Sequence, residues 1–354
     1  MGIVRFPNPV SDIRMFWETY RVLYGDLHNK TDFGHDDISR TMIEHRLVTS
    51  RGAAGQEAAK RSYDEDRTRD PLYNQAKMYS ELYRLLGWMH PGKDRTHFVM
   101  THLGDYVAGE NTWQTAVELV KQCVLSIVIP NPQVESRSEN RIRPFPFGLR
   151  LIEGSDGVIL RDELIITALC VPDDRAPGAL KGAIGLIKSL RGDYKNLRKE
   201  LSMKAGDLQE NTLQNYTRFP LGILKSSNWA LPDVDSSLYG KKLTCYRITG
   251  HGVAQVANLQ KMKDIRDEDL NKFPEDARKS FGVLSHYSFL ERAGYPLGEA
   301  AALIHTIEDD CREILGKFKI EHRNLILFSP YQQLSRDETA EMERFFRSKY
   351  IPLL

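Results

Sequence analysis

The sequence has little of what marks secreted or zinc-binding proteins. Only four cysteines occur among its 354 residues, and none forms a CxxC pair. This count and spacing favour neither a disulfide framework nor a zinc site. The thiols lie in apolar stretches typical of buried, reduced cysteines, which fits a cytoplasmic protein. They are Cys123, Cys170, Cys245 and Cys311.

Long hydrophobic runs are also missing. The longest apolar stretch, residues 124–130, is far shorter than the roughly 18 residues that a membrane-spanning helix needs. No apolar segment follows a basic start at the N-terminus, so we expect no signal peptide. These absences predict a soluble cytoplasmic protein without a membrane partner.

Patterns that carry catalysis or cofactor binding are not evident. The ten histidines form no HxxxH or HExxH pair, and the glycines of residues 178–185 lack the spacing of a phosphate-binding loop. No Ser-His-Asp arrangement can be assigned. We therefore predict no catalytic residue, no metal ligand and no cofactor in this chain, and leave open whether it is an enzyme.

The net charge of +1 is too small for a protein that coats nucleic acid by bulk electrostatics. A sequence-specific binder needs only local positive charge. Residues 181–204 supply it, with seven basic side chains against Asp193 and Glu200. The basic residues are Lys181, Lys188, Arg191, Lys195, Arg198, Lys199 and Lys204.

Apolar spacing and capping residues predict helices over residues 11–27, from Asp36 to 47, and from Asp70 to 86. Two short apolar segments around a tight turn follow, and then Thr101 as a helix cap with Gly104 in the next turn. This order of helix, strand, turn, strand and capped helix is typical of a winged-helix unit. The helix before the wing is then the candidate reader of the major groove.

The pattern recurs further along the chain. We predict a helix over residues 208–224, broken near Pro220, then two strands around a polar turn and a helix opening at Thr249. Residues 100–104 and 248–252 share an apolar strand end, a threonine and a glycine three residues later. Further helices are predicted at 112–128, 145–153, 159–170 and 177–190.

The sequence therefore predicts a mainly α (α+β) fold of tandem winged-helix-like subdomains joined by helices. The expected boundaries are residues 1–110 for the first subdomain, 111–264 for the second and 265–354 for a mainly helical C-terminal one. The last contains a strand candidate at 324–330 and a helix capped by Ser335.

Residues 99–109, 144–171 and 246–259 together resemble the DNA-recognition region of type IIS restriction endonucleases of the FokI and AlwI kind, and of related nicking endonucleases. The resemblance is one of layout, over roughly residues 70–260. It implies sequence-specific recognition of double-stranded DNA in a restriction-modification or phage-defence system.

The nuclease domain that the resemblance implies is not identifiable. Such domains carry the pattern PD-(D/E)xK, whose carboxylates hold a catalytic metal. Asp233 is followed by Asp235 but by no lysine at the required spacing. Asp173 precedes a predicted helix with Lys181 and no intervening acid-x-Lys, and Asp309-Asp310 lies in a helical pattern. We expect a nuclease subunit on another chain, with Mg²⁺ needed only there.

Two helices carry the side chains expected to contact bases. Amides pair bidentately with adenine, and lysine or arginine pairs with guanine. The helix before the first wing offers Asn74, Gln75 and Lys77. The helix before the second wing offers Gln209, Asn211, Gln214, Asn215 and Arg218.

Phosphate contacts are expected from the basic stretch and the second wing, since each such contact adds affinity that salt screens. The candidates are Arg191, Lys195, Arg198, Lys199, Lys241 and Lys242. Arg137, Arg141 and Arg143 form a linker that would cross a minor groove. All of these side chains also suit an ordinary solvated surface.

Two other functions stay open at this point. One is a complete type II restriction endonuclease whose metal-dependent site is too divergent to recognise. The other is a helical adaptor that binds proteins rather than DNA. Magnesium-dependent cleavage by the purified chain distinguishes the first, and protein capture without a DNA shift distinguishes the second.

Overall fold

A computed structural model describes most of the chain up to Leu259, in the ranges 2–10, 12–28, 30, 33–47, 49–50, 53–62, 70–91, 96–131, 134 and 139–259. Within these ranges the chain forms two compact units. The first unit is Arg14–Ser126, and the second unit combines Met1–Ile13 with Ile127–Met262. The predicted subdomain 265–354, with its strand and its Ser335 cap, lies outside the described residues.

The first unit contains six helices and five short strands in its described part. In chain order they are α1 (Ile13–Leu27), β1 (Phe33–Gly34), α2 (His35–Glu44), β2 (Thr49–Ser50), β3 (Ala53–Ala54), α3 (Gly55–Ser62), α4 (Pro71–Leu85), β4 (Met89–Pro91), β5 (His97–Met100), α5 (His102–Gly109) and α6 (Trp113–Leu125).

The second unit has a similar composition of elements. They are α7 (Pro144–Gly154), β6 (Val158–Leu160), α8 (Arg161–Ile166), α9 (Ala179–Leu190), α10 (Tyr194–Ala205), α11 (Glu210–Ser226), β7 (Ala230–Asp235), β8 (Leu243–Ile248) and α12 (Gly250–Leu259). Helices hold most of the described residues, which confirms the mainly α class.

Each unit pairs its helices with a three-stranded antiparallel sheet of the same topology. The strand order is β1-β5-β4 in the first unit and β6-β8-β7 in the second. In both sheets the first strand along the chain pairs with the last, and a helix directly precedes the hairpin formed by the second and third strands. The order α1-β1-α2-α4-β4-β5 of the first unit therefore corresponds to the order α7-β6-α8-α11-β7-β8 of the second.

The register of the two sheets matches position for position. Met89 faces Met100 in the first hairpin, and Ala230 faces Ile248 in the second. On the other side of the last strand, Phe33 pairs with Phe98 and Ile159 with Tyr246. The repeat predicted from two threonine-containing segments is therefore present in the pairing of the strands.

The junction from the last strand to the next helix is built identically. Thr101 Oγ1 accepts the Gly104 N–H at 3.0 Å and donates to the Gly87 carbonyl at 2.5 Å. Thr249 Oγ1 accepts the Gly252 N–H at 3.1 Å and donates to the Asn228 carbonyl at 2.5 Å. Each threonine thus caps one helix and ties it to the end of an earlier helix.

The earlier helix also ends in the same way in both units. Gly87 and Asn228 take positive φ angles of 75° and 55°, the left-handed conformation that commonly closes a helix. A buried tryptophan follows, and its N–H bonds back to the helix, from Trp88 to Tyr83 O at 2.8 Å and from Trp229 to Leu224 O at 2.9 Å.

Several local predictions need correction. Helix α11 is not broken near Pro220 but continues through it to Ser226. The helix predicted at 159–170 is the strand β6 followed by the short helix α8. Strand β1 and helices α3 and α10 were not predicted. The compact units group the first 13 residues with the second unit and α6 with the first; the predicted subdomain boundaries stay a prediction.

An aromatic cluster fills the core of the first unit. Its members Phe16, Tyr20, Tyr83 and Trp88 are all fully buried. The ring centroid of Phe16 lies 4.5 Å from that of Tyr83 and 5.7 Å from that of Trp88. Tyr20 Oη donates to the Trp88 carbonyl at 2.9 Å. The cluster fixes α4 against α1, so the orientation of α4 is set by packing.

Among the helices that the structure describes, none combines the length and the apolar character needed to cross a membrane.

Acid is expected to destabilise the first unit through His35. Its ring is buried, with Nε2 3.1 Å from Ser80 Oγ, and its pKa is lowered to about 4 by burial and then by Arg84 and Lys77. Because the folded-state pKa lies below the ordinary 6.5, stability is complete above pH 6.5 and declines as the pH falls towards 4. The expected loss is about 3 kcal/mol.

Urea denaturation of the full chain across this pH window measures the effect. The His35→Gln variant keeps a hydrogen-bonding side chain but does not titrate, so its free energy of unfolding should decline less between pH 6.5 and 4. Equal declines in the two proteins would show that His35 is already protonated, or solvated, in the folded state.

Candidate nucleic-acid interface

One line of α11 is polar and open to solvent. Asn211, Asn215 and Arg218 are exposed and lie at helical spacings of four and three residues, so they share a face. The opposite face is buried, with Leu213, Thr217, Pro220 and Leu224 in the core. Tertiary packing therefore decides which amides face outward, and these three side chains form the exposed line of α11.

The other two candidates on this helix lie elsewhere. Gln214 is half-buried, at the edge of the exposed line. Gln209 is exposed but precedes the helix as its N-cap residue, and its side chain makes no capping hydrogen bond. The structure thus brings together Asn211, Asn215 and Arg218 as exposed side chains. Gln214 lies beside Asn211 and Arg218 but is half-buried, and Gln209 lies before the helix.

Helix α4 carries the first group of candidates. Asp70 accepts the Leu72 N–H at 2.8 Å and Pro71 occupies the first turn, so the helix begins where the capping pattern predicts. Lys77 is exposed, with Nζ 5.4 Å from the centroid of the Tyr73 ring. Asn74 and Gln75 are half-buried.

The internal repeat makes two of these pairs equivalent. Asn74 and Lys77 lie fourteen and eleven residues before Trp88, and Asn215 and Arg218 lie at the same distances before Trp229. Since both helices end in the same backbone motif, the two pairs occupy the same positions. Each unit therefore presents an asparagine with a cation one turn later on the helix before its hairpin. Aligning the two tryptophans reveals this in the sequence, whereas aligning only the threonines does not.

The turn between β7 and β8, residues 236–242, corresponds to the predicted second wing and is called the wing below. It packs against the turn between α9 and α10, where the Gly192 N–H donates to the Leu238 carbonyl at 2.7 Å. The Tyr194 and Tyr239 rings meet edge to face at 6.0 Å. Lys241 Nζ lies 4.4 Å from the centroid of the Tyr194 ring.

These contacts bring Lys241 of the wing next to α10, which carries two further predicted phosphate ligands. Lys195 directly follows Tyr194, Lys199 lies one turn further along α10, and both are exposed, as are Lys241 and Lys242 on the wing. In the part of the chain that the structure describes, none of the four pairs with a carboxylate. Lys195, Lys199, Lys241 and Lys242 are called the lysine surface below.

Arg191 and Arg198 are engaged differently. The Arg191 side chain is only 12% exposed and bonds Glu163 Oε1 at 3.2 Å. It also bonds the Val158 and Ser155 carbonyls at 2.7 and 3.0 Å. Arg198 pairs with Asp162 and Glu210, each at 3.1 Å. These contacts favour a structural role for both guanidinium groups, since binding a phosphate would break existing ion pairs.

The three arginines of the predicted linker also differ in their exposure to solvent. Arg143 is buried at 3% exposure, so it does not present its guanidinium to a groove. Arg141 is exposed, and its backbone bridges to the segment around Asp173. Arg137 lies outside the described residues.

Two of the carboxylates considered for a nuclease site form ion pairs. Asp233 and Asp235 on β7 both bind Arg247, at 2.9 and 3.2 Å. The hydrogen bond from Arg247 lowers the pKa of Asp233, and that from Ser237 lowers the pKa of Asp235. Over the described ranges, no group of three His, Cys, Asp or Glu side chains is arranged to hold a metal. Asp309 and Asp310 lie outside those ranges.

No protein-family model matches the chain, and no curated protein matches it. Among solved structures, that of the restriction endonuclease FokI is similar with a TM-score of 0.37 and 12% sequence identity, over 92% of this chain and 61% of the FokI chain. This chain thus spans less than two thirds of FokI. Identity and TM-score at this level define neither the fold nor the activity of this chain.

Proposed function

We propose that this protein recognises specific sequences in double-stranded DNA. The observation that carries the proposal is the coincidence, in the second unit, of an exposed asparagine and arginine on α11 with an unpaired lysine surface beside the following wing. Each unit then acts as a winged-helix-like module. In such modules a helix enters the major groove and reads base edges through its side chains.

The chemistry of the exposed line suits base recognition. An asparagine amide can donate one hydrogen bond to adenine and accept another from it, and an arginine can donate two hydrogen bonds to guanine. Asn215 and Arg218 are three residues apart on one face, about 4.5 Å along the helix axis. That separation lets the two side chains contact neighbouring base pairs.

The lysine surface supplies the affinity that does not depend on sequence. Lys195 and Lys199 are like charges one turn apart on a helix, an arrangement that is slightly destabilising by itself. A phosphate backbone would relieve this repulsion and release counterions. The four lysines are therefore assigned to phosphates rather than to bases.

The biological setting follows from the type IIS resemblance of residues 99–109, 144–171 and 246–259. We propose a cytoplasmic recognition subunit of a restriction or phage-defence system whose nuclease, with its Mg²⁺, is on another chain. Magnesium-dependent cleavage of DNA by the purified chain alone would instead identify a complete endonuclease.

Selection of bound duplexes from a random library tests the proposal directly. Wild-type protein should enrich a motif. Asn215→Ala and Arg218→Ala should each relax the preference at one base pair by about 1–3 kcal/mol, a five- to more than hundredfold loss of discrimination. Binding to unrelated duplexes should be nearly unchanged, because the phosphate contacts remain.

Gln214→Ala is the matched control for this experiment. It removes an amide on the same helix that is half-buried, whereas Asn215 is exposed. Gln214 lies about 100° around the helix from Asn215, on the side of Arg218, so the preference assigned to Asn215 should survive. Loss of the motif in Gln214→Ala but not in Asn215→Ala would mean that a different face of α11 meets the DNA. Failure of the wild-type chain to enrich any motif would refute the proposed function.

A further inference from the structure

A buried glutamate lies beneath the wing of the second unit. The Glu163 side chain has no exposed surface and accepts three hydrogen bonds. The Leu160 N–H reaches Oε2 at 2.8 Å, while Arg191 Nε and Tyr239 Oη reach Oε1 at 3.2 and 2.8 Å. A carboxylate without solvent depends on such donors, because an unpaired buried charge is strongly destabilising.

Part of this arrangement belongs to the internal repeat. In the first unit Asp37 holds the equivalent place, three residues after Gly34, and accepts the Gly34 N–H at 2.9 Å and Lys30 Nζ at 2.9 Å. Its side chain is 28% exposed, unlike that of Glu163. Capping the helix therefore needs only a short and partly exposed carboxylate. The hydrogen bond from the wing residue Tyr239 is an addition that capping does not explain.

Tyr239 is positioned to control the wing. Its side chain is buried, and burial followed by the Glu163 carboxylate raises its pKa, so the hydroxyl stays protonated and donates at neutral pH. The preceding residue, Leu238, accepts the Gly192 N–H. Lys241 follows only two residues later and lies over Tyr194. Fixing Tyr239 therefore fixes the start of the lysine-bearing part of the wing.

We propose that Tyr239 is a positioning residue for DNA binding. Its hydrogen bond to Glu163 holds the wing against the α9–α10 turn, so that Lys241 and Lys242 lie on the same surface as Lys195 and Lys199. The proposal rests on the proposed function, since it concerns how that function's phosphate surface is assembled. Without the hydrogen bond, the two wing lysines must be ordered when DNA binds, which weakens binding.

Tyr239→Phe tests the proposal because it removes one hydroxyl and keeps the ring that meets Tyr194. We expect its duplex affinity to fall about five- to tenfold, near the lower end of the cost of ordering two lysine side chains when DNA binds. Ser126→Ala is the control. It also removes a buried hydroxyl, which donates to the Gln122 carbonyl at 2.8 Å. Ser126 follows α6, outside the helices and wings proposed to contact DNA, so affinity should be nearly unchanged.

A double-mutant cycle separates positioning from a general structural effect. In the Lys241→Ala/Lys242→Ala background there are no wing lysines to position, so adding Tyr239→Phe should change affinity less than about twofold. Hydrogen exchange should be faster in Tyr239→Phe over residues 236–242 and unchanged over α11. An equal loss of affinity in both backgrounds would overturn the proposal.

Two further outcomes distinguish an error in the positioning role from an error in the proposed function. If the wild-type chain binds DNA and Tyr239→Phe binds equally well, the positioning role is wrong while the proposed function stands. If the wild-type chain does not bind, both are wrong. Should Tyr239→Phe fold poorly, Glu163→Gln supplies a second variant that weakens the same hydrogen bond by removing its charge. Because Glu163→Gln also weakens the ion pair with Arg191, the test is the part of its affinity loss that depends on the wing lysines, which must vanish in the Lys241→Ala/Lys242→Ala background.

Discussion

Replacing Lys195, Lys199, Lys241 and Lys242 together by alanine is expected to cause the largest loss of DNA affinity of any change considered for this protein. Each phosphate contact contributes about 0.9 to the slope of log affinity against log salt. Removing four contacts should therefore lower the slope by about 3 to 4 and weaken binding at about 100 mM salt by orders of magnitude. The loss should be the same for every duplex, because phosphates carry no sequence information.

Fluorescence titrations between about 50 and 200 mM salt measure this slope. The matched control changes the same four lysines to arginine, which conserves charge and should conserve the slope. An unchanged slope in the alanine variant would remove the lysine surface from the interface. A loss confined to one duplex sequence would mean that these lysines contact bases.

The structure reduces the set of basic residues that this experiment should replace. From the sequence, Arg191 and Arg198 are as good phosphate candidates as Lys195 and Lys199. In the structure both arginines already pair with carboxylates, and Arg191 also bonds two backbone carbonyls. Alanine at either position would combine effects on folding and binding, so both are left out of the variant.

This difference has a physical origin. Arg191 meets Glu163 and Asp156 across 28 and 35 positions of the chain. Sequence periodicity reports only the spacing within one element, and therefore does not reveal a partner on another. The same limit applies to Lys241, which meets Tyr194 of α10 because the wing folds back on the α9–α10 turn.

Long amphipathic helices with clear caps were predictable. Helix α4 begins at its Asp70 cap, as expected, and α1 and α6 closely follow their predicted ranges. Strands β1 and β6 have only two and three residues, too few for an alternating pattern to be recognised. Yet these strands complete both sheets, so the shared topology emerges only from the structure.

The candidate site was predictable in composition but not in orientation. The amides of α11 were visible as a cluster, but Gln214 and Asn215 are neighbours and only packing decides which faces solvent. The burial of Leu213 and Thr217 turns Asn215 outward. The equivalence of Asn74 with Asn215 needed a further fact, that Trp88 and Trp229 close their helices with the same backbone hydrogen bond.

Gly252→Ala is expected to cause the largest loss of stability in the second unit. A methyl group at this position would overlap the Trp229 carbonyl oxygen and lie 2.6 Å from Ile248 Cγ1. The carbonyl has little room to move, because it accepts the Thr249 N–H at 3.0 Å and belongs to the junction that joins α11, the hairpin and α12. Overpacking against fixed backbone should lower the free energy of unfolding by about 3 kcal/mol or more.

Gly250→Ala is the control, two residues away in the same helix. Nothing lies within 4 Å of a methyl group there, so the change should have no adverse effect and can stabilise the helix by up to about 1 kcal/mol. The repeat supplies a second pair in the first unit, where Gly104→Ala would meet Tyr20 Oη and the Trp88 carbonyl while Gly109→Ala meets nothing within 4 Å. Urea denaturation of the four variants should thus give two destabilised and two unaffected proteins. Equal stability of Gly252→Ala and Gly250→Ala would show that α12 does not approach Trp229 this closely. The shared junction would then not explain why both units have a glycine three residues after the threonine.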